Sequence, residues 1–158
     1  MSSCTSQEIM IRKAVEADVP AIYQVLAAFA EQRLLLPRPQ MDILLQIDTF
    51  HVACVNGEVA GCAALRDYGN ELYEVRSLAV SEKFQNMGLA SMLVTEQMNI
   101  LAGKNARLFA LTYRDNFFQR LGFRVVEKTL FPEKIWSDCE RCSKKDHCDE
   151  IAVLMELA

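Results

Sequence analysis

Residues 85–90, Gln-Asn-Met-Gly-Leu-Ala, put a glycine and small side chains into a bend directly ahead of an amphipathic run. Gly88 lets backbone approach a ligand closely, and the first-turn amides of the following helix are unpaired donors at the positive end of its dipole. Such a bend can hold a phosphate, although standing alone it also serves as a plain structural turn. Two arginines point to a second kind of ligand. A planar guanidinium grips a carboxylate through two parallel hydrogen bonds, so Arg38, in the stiff Leu36-Pro-Arg-Pro loop, and Arg76 suit an acceptor bearing carboxylates, such as an acidic amino acid. Each alone is more often a surface charge or a structural pair. Glu74 shares a strand face with Leu78 and Val80, where partial desolvation is expected to raise its pKa toward a value useful to a general base. The alternative is that it pairs with Arg76 across the strand pleat.

These residues need a strand, a bend and a helix to position them. Leu72 to Val80 alternate over two faces, with Leu72, Glu74, Arg76, Leu78 and Val80 on one and Tyr73, Val75, Ser77 and Ala79 on the other. The helix after the bend is expected over about 88–102, ending near Gly103. Upstream, Ile11-Arg-Lys-Ala reads as a first strand, Asp18 as an N-cap with Pro20 in the first turn, and Ile22, Val25, Leu26 and Phe29 as a buried helical face. Pro37 and Pro39 are expected to stop that helix or its successor, and a second helical stretch is expected around Asp42 to Asp48. Phe50 to Val55 reads as a strand, Asn56-Gly57 as a hairpin turn, Glu58 to Arg66 as the return and Gly69-Asn70 as the next turn, giving a three-stranded antiparallel meander. Arg107 to Thr112 is expected parallel to 72–80, because a helix crosses over between them. Asp115 or Asn116 then caps a short helix through Leu121, Gly122 stops it, and Phe123 to Glu127 is the following strand. Pro132 opens another short helix to about Asp138, and Ile151 to Met155 closes as a strand. Neither repeats nor low-complexity linkers interrupt the chain.

The 158 residues, 51% hydrophobic and 24% charged, suit one globular domain spanning 1–158 with a full core. Apolar runs fall short of the roughly 18 positions of a membrane span, and the first residues lack the basic start and apolar core of a secretion signal. With 17 basic against 21 acidic residues the net charge is −4, which does not support a general attraction to nucleic acid or anionic membrane. Six cysteines without a signal peptide read as thiols in a reducing cytoplasm.

Gln85-x-x-Gly88-x-Ala90, preceded by Leu78-Ala-Val80, resembles the acetyl-CoA diphosphate motif of the GNAT acyltransferase superfamily, and matches neither a dinucleotide fingerprint nor a P-loop. Asn116-Phe-Phe-Gln-Arg-Leu-Gly-Phe123 resembles the second signature of that superfamily. The resemblance implies an α+β GNAT fold, with a central, mixed but mostly antiparallel sheet of six to seven strands, a splayed parallel pair and helices on both faces. It implies acetyl-CoA as co-substrate, its diphosphate taken by Gln85, Asn86, Met87, Gly88, Leu89 and Ala90. Its pantetheine would meet the Leu78-Ala79-Val80 segment through the amides of Leu78 and Val80, with the thioester carbonyl polarised there. Asn116 is a further pantetheine partner, or a helix cap. Glu74 occupies the place of the family's general base, acting directly or through a water. The family's usual tyrosine acid is replaced by Phe118; Tyr113 is the nearest substitute, with a core aromatic as its alternative reading. A thiolate of pKa near 8.5 also leaves without strong acid help.

Leu36-Pro-Arg38, Gly61-Cys-Ala-Ala-Leu65, Glu74 to Val80, Leu111-Thr-Tyr113, Phe117 to Phe123 and the Pro132 to Cys142 segment with Cys148-Asp-Glu-Ile-Ala152 look like the short, stand-alone bacterial N-acetylglutamate synthases of arginine biosynthesis. That resemblance implies acetyl transfer to the α-amine of L-glutamate, in a form lacking the kinase-like domain of longer synthases and any arginine feedback site carried there. The partner expected is a small-molecule amino acid, without nucleic acid or membrane, and a homodimer is left open. The competing readings are an acetyltransferase of another small amine or a protein N-terminus, and a non-catalytic acyl-CoA sensor in which Glu74 is idle.

Cys139-x2-Cys142-x5-Cys148 with His147 invites a zinc reading. A structural site wants four ligands, only one CxxC pair is well spaced, and adjacent His147 and Cys148 reach one tetrahedral ion together with difficulty. No metal is therefore expected; a knuckle of buried thiols is the favoured reading, and redox sensitivity is a third. Cys4, Cys54 and Cys62 read as small core or surface residues.

Overall fold

Two consecutive left-handed residues close the tightest hairpin, and Asn-Gly adopts them at least cost. In the computed structural model of the protein, which describes residues 8–32, 38–130 and 150–157, Asn56 and Gly57 take φ of 51° and 85°. Strand β1 (Ile9–Lys13) is followed by helices α1 (Val19–Glu31) and α2 (Gln40–Leu45). Strand β2 (Phe50–Val55) then turns at Asn56-Gly57 into β3 (Glu58–Asp67), with Val55 opposite Glu58. A second turn, left-handed at Gly69, Asn70 and Glu71, leads into β4 (Leu72–Val80). Then come α3 (Leu89–Leu101), β5 (Ala106–Thr112), α4 (Asp115–Arg120), β6 (Arg124–Val126) and β7 (Ile151–Leu157). The seven strands are hydrogen-bonded in the order β1-β2-β3-β4-β5-β7-β6. Among the described pairings β4 with β5 is the parallel one, as the crossover through α3 requires.

The chain divides into two compact units, Met1–Leu65 with Arg76–Gln97, and Arg66–Val75 with Met98–Ala158. In the first, the period of two sorts β2 onto opposite faces. Phe50, Val52 and Cys54 pack with Ile22, Val25 and Leu26 of α1 and Ile43 of α2, whereas Ala53 and Val55 pack with Leu89 and Leu93 of α3. Helices thus lie on both faces, and each fully buried aliphatic or aromatic side chain stabilises the unit by about 1.5–3 kcal/mol. Gly61 lets β3 and β4 approach: a Cβ there would stand 2.8 Å from the carbonyl oxygen of Ala79 and 3.1 Å from a methyl of Val80.

The second unit is built on β5, which pairs antiparallel with β7 from Ala106↔Leu157 to Thr112↔Ile151, while β6 pairs with the other edge of β7. Leu72, Phe109, Ala152 and Leu154 form its buried cluster, with Tyr68 and Leu111 packed against it. Phe118 is buried and meets Phe117 and Phe123 edge-on, at centroid distances of 5.0 and 5.1 Å.

Four local expectations are corrected. Asp18 does not cap α1 through its side chain. Its two oxygens accept from Arg12 Nη1 and Nη2 at 2.8 and 3.0 Å, and Oδ2 also accepts from the Val15 amide at 2.8 Å, so the carboxylate is fully engaged one turn earlier. The Arg12 guanidinium accordingly holds the Asp18 carboxyl below its ordinary value. Pro39 opens α2 from the cap position instead of stopping a helix, its carbonyl accepting from Ile43; Pro37 lies outside the described residues. Neither Asp115 nor Asn116 caps α4, because Arg114 takes the cap position and Asp115 is already helical, accepting from Gln119 Nε2 at 3.0 Å. Finally, Ser77 has φ of 53°. One left-handed residue ends the simple alternation of a strand, so Leu78 and Val80, which pack with α3, cannot be counted with Glu74 by parity. Ala79 packs with the α1 cluster instead.

Candidate functional site

The bend at 85–90 follows a short helical turn, Glu82–Phe84, and is tied down at both ends. Phe84 and Leu89 are buried with Leu93, while Gln85 Nε2 donates to the Val80 carbonyl at 3.1 Å. Between these anchors Asn86 and Gly88 take φ of 68° and 81°. A Cβ built on Gly88 would meet nothing within 4 Å, so the backbone there faces open space. Gly88 accepts the first helical hydrogen bond of α3, from the Met92 amide at 3.1 Å. The amides of the first turn ahead of Met92 therefore have no carbonyl of their own helix to bond. Backbone donors without a partner in their own helix, at the start of a helix of 13 residues, fit an anionic diphosphate.

The neighbouring strand ends its parallel pairing early. β4 and β5 are in register only at Leu72↔Arg107, Tyr73↔Leu108 and Glu74↔Phe109, although β4 runs on to Val80.

Arg38 enters ahead of α2 and is held on three sides. Its Nε donates to Asp42 Oδ2 at 2.9 Å, its Nη1 donates to Ser77 Oγ at 2.9 Å, and its guanidinium carbon stands 4.9 Å from the centroid of the Phe50 ring. The side chain is only 11% exposed. Burial pushes its pKa below the ordinary value, Asp42 opposes this, and the positive charge of Arg76 adds to the lowering; an arginine nonetheless stays charged. Among the described residues nothing bonds its Nη2. Cys62 lies close by, its thiol bonded to the Ser77 carbonyl at 3.4 Å and pushed up to about 12 by burial.

In the second unit Glu74 is 2% exposed. Tyr68 Oη donates to Glu74 Oε1 at 2.7 Å. The Tyr68 ring stands 5.9 Å from Phe109, with the Arg66 guanidinium 4.5 Å over its face. Tyr68 escapes notice in the sequence, although counting back from Gly69-Asn70 could have found it. Its amide donates to the Leu72 carbonyl at 2.9 Å, which sets it opposite Leu72 with Glu74 two positions further along the same face. Tyr113 lies just past the end of β5, half-buried, and Asn116 is exposed on the first turn of α4. Phe118 belongs to the aromatic core.

Among the described residues no group of three or more His, Cys, Asp or Glu could hold a metal. Cys139, Cys142, His147 and Cys148 lie outside them. No helix of the described residues is long and apolar enough to cross a membrane.

The family model for the acetyltransferase (GNAT) domain matches residues 46–125. An uncharacterised N-acetyltransferase of Chlorobaculum tepidum is 39% identical over 148 residues, covering 93% of this chain and 96% of the relative. The amino-acid acetyltransferase of Mycobacterium tuberculosis is 29% identical over 141 residues, 87% of this chain and 79% of the relative. Among solved structures, N-acetylglutamate synthase from Neisseria gonorrhoeae, complexed with coenzyme A and N-acetyl-glutamate, superposes with a TM-score of 0.83 at 26% identity, covering 96% of this chain. The chain spans 35% of that longer synthase.

Proposed function

The chain belongs to the GNAT acetyltransferase family, whose members use acetyl-CoA, and we propose that it acetylates the α-amine of an acidic amino acid, L-glutamate first among them, as the opening step of arginine biosynthesis. One observation carries the choice of acceptor. The Arg38 guanidinium is largely buried, fixed by Asp42 and Ser77 and close enough to Arg76 to feel its charge, with Nη2 left for a ligand. A fixed guanidinium beside a second positive charge suits a dicarboxylate better than a neutral amine. The names of the similar proteins support the same reading.

Each residue then has a role. The amides from Gly88 into the first turn of α3 receive the diphosphate, with Gln85 holding the bend to β4. Leu78 and Val80 offer amides to the pantetheine arm. Acetyl-CoA supplies the acetyl group as a thioester whose leaving thiolate needs little acid help. Glu74 takes the proton from the acceptor nitrogen, and Arg38 and Arg76 hold the acceptor carboxylates. Tyr113 is the hydroxyl proposed to return a proton to the sulfur, because Phe118 carries none. The protein works in the cytoplasm.

A thiol-release assay with acetyl-CoA over a panel of amino acids tests the reading. Release dependent on glutamate or a close dicarboxylic analogue is expected. Release with another amine alone would replace the acceptor, and coenzyme A binding without turnover on any acceptor would make the protein a sensor.

A further inference from the structure

We propose that Tyr68 is a positioning residue for Glu74, an inference that rests on the reading of Glu74 as the base. A carboxylate on a strand can rotate about its last torsion, and a base that swings is in reach of the acceptor for only part of the time. Here one oxygen is fixed: Tyr68 Oη donates to Glu74 Oε1 at 2.7 Å, a well-formed hydrogen bond between oxygens. The donor is itself held by contacts. Its ring is packed at 5.9 Å against Phe109, which stands beside Glu74 in the β4–β5 register, and the Arg66 guanidinium lies 4.5 Å over the ring. Its backbone is pinned by the hydrogen bond to Leu72 across the left-handed turn at residues 69–71. Fixing Oε1 sets the plane of the carboxyl group and so aims Oε2.

In the step this serves, a proton leaves the acceptor nitrogen for Glu74 and the nitrogen forms a bond to the acyl carbon. The carbon–sulfur bond then breaks with its electron pair on sulfur. Tyr68 keeps its own proton throughout and touches neither substrate, which separates it from Tyr113.

Tyr68→Phe keeps the ring and its contacts while removing the donor, and should melt within a few degrees of the parent. Its kcat is expected to fall roughly tenfold or more, the loss of one hydrogen bond to a charged group, with KM for acetyl-CoA and for the amino acid changed by less than about twofold. Added to Glu74→Gln it should cost nothing further, because the group it positions is gone. If Glu74→Gln loses turnover while Tyr68→Phe keeps its kcat, the positioning role is overturned and the base reading stands. If Tyr68→Phe costs as much in the Glu74→Gln background as alone, Tyr68 acts elsewhere and the inference fails. Full turnover by Glu74→Gln would remove the base itself, and the positioning role with it.

Discussion

Arg38 donates from Nη1 to Ser77 Oγ at 2.9 Å, and Ser77 makes this contact from a backbone with φ of 53° inside a strand. A serine in the left-handed region costs about 1–2 kcal/mol relative to an ordinary strand residue. The fold meets that cost at a point where a second residue of β4, Arg76, is also close to Arg38.

Ser77→Ala removes the acceptor and keeps the strain, so KM for the amino acid should rise roughly tenfold while KM for acetyl-CoA stays put. Ser77→Gly removes the acceptor and relieves the backbone. It should show the same kinetic defect yet melt above Ser77→Ala. Steady-state kinetics with thermal melts of both variants decide this; an unchanged amino-acid KM would detach Arg38 from the acceptor.

Gly88→Ala is expected to separate binding from folding. The left-handed φ of 81° makes any side chain cost about 1 kcal/mol, but no atom stands within 4 Å to clash with the new methyl. Stability should fall only slightly. The methyl projects over the backbone assigned to the diphosphate, so coenzyme A affinity measured by calorimetry should drop roughly tenfold or more. Unchanged affinity would mean the diphosphate lies elsewhere.

Gly61→Ala should do the reverse. Its Cβ would stand 2.8 Å from a backbone carbonyl that has no room to move without taking β4 with it. A loss of about 1–3 kcal/mol is expected, seen as a melting temperature lower by several degrees. Because Ala79 and Val80 must give way, coenzyme A binding should weaken as well. A variant as stable as the parent would show that β3 and β4 are not in this close contact.

His51 makes stability depend on pH. Burial pushes its pKa below the ordinary 6.5, more than Glu96 raises it, Lys13 adds to the lowering, and Nδ1 has no hydrogen-bond partner among the described residues. The unfolded chain therefore binds a proton more readily than the folded one. The stability due to the neutral imidazole is complete above about pH 6.5 and is lost as pH falls through that value toward the lower folded pKa. His51→Phe should flatten the drop in melting temperature between pH 8 and pH 5.5. An identical slope in both proteins would contradict the assignment.

Features that depend on near neighbours in the chain were legible from residue types. Asn56-Gly57 fixed the hairpin, since few other pairs take two left-handed residues, and the repeat of Ile22, Val25 and Leu26 fixed the buried face of α1. The order of strand, bend and helix around Gly88 was legible for the same reason: each depends on residues a few positions apart. The bends that re-aim side chains were not. Ser77 carries no sign in its side chain that its φ is positive, and Asp18, an apt helix cap by type, is taken by Arg12 because strand β1 brings a guanidinium within 3 Å. Likewise Tyr68 becomes the partner of Glu74, and Ser77 the partner of Arg38, only when the chain has folded back on itself. Hydrogen bonds act over about 3 Å of space whatever the separation in sequence, so residue types and spacing announce the family while the packed chain decides which neighbours orient each side chain.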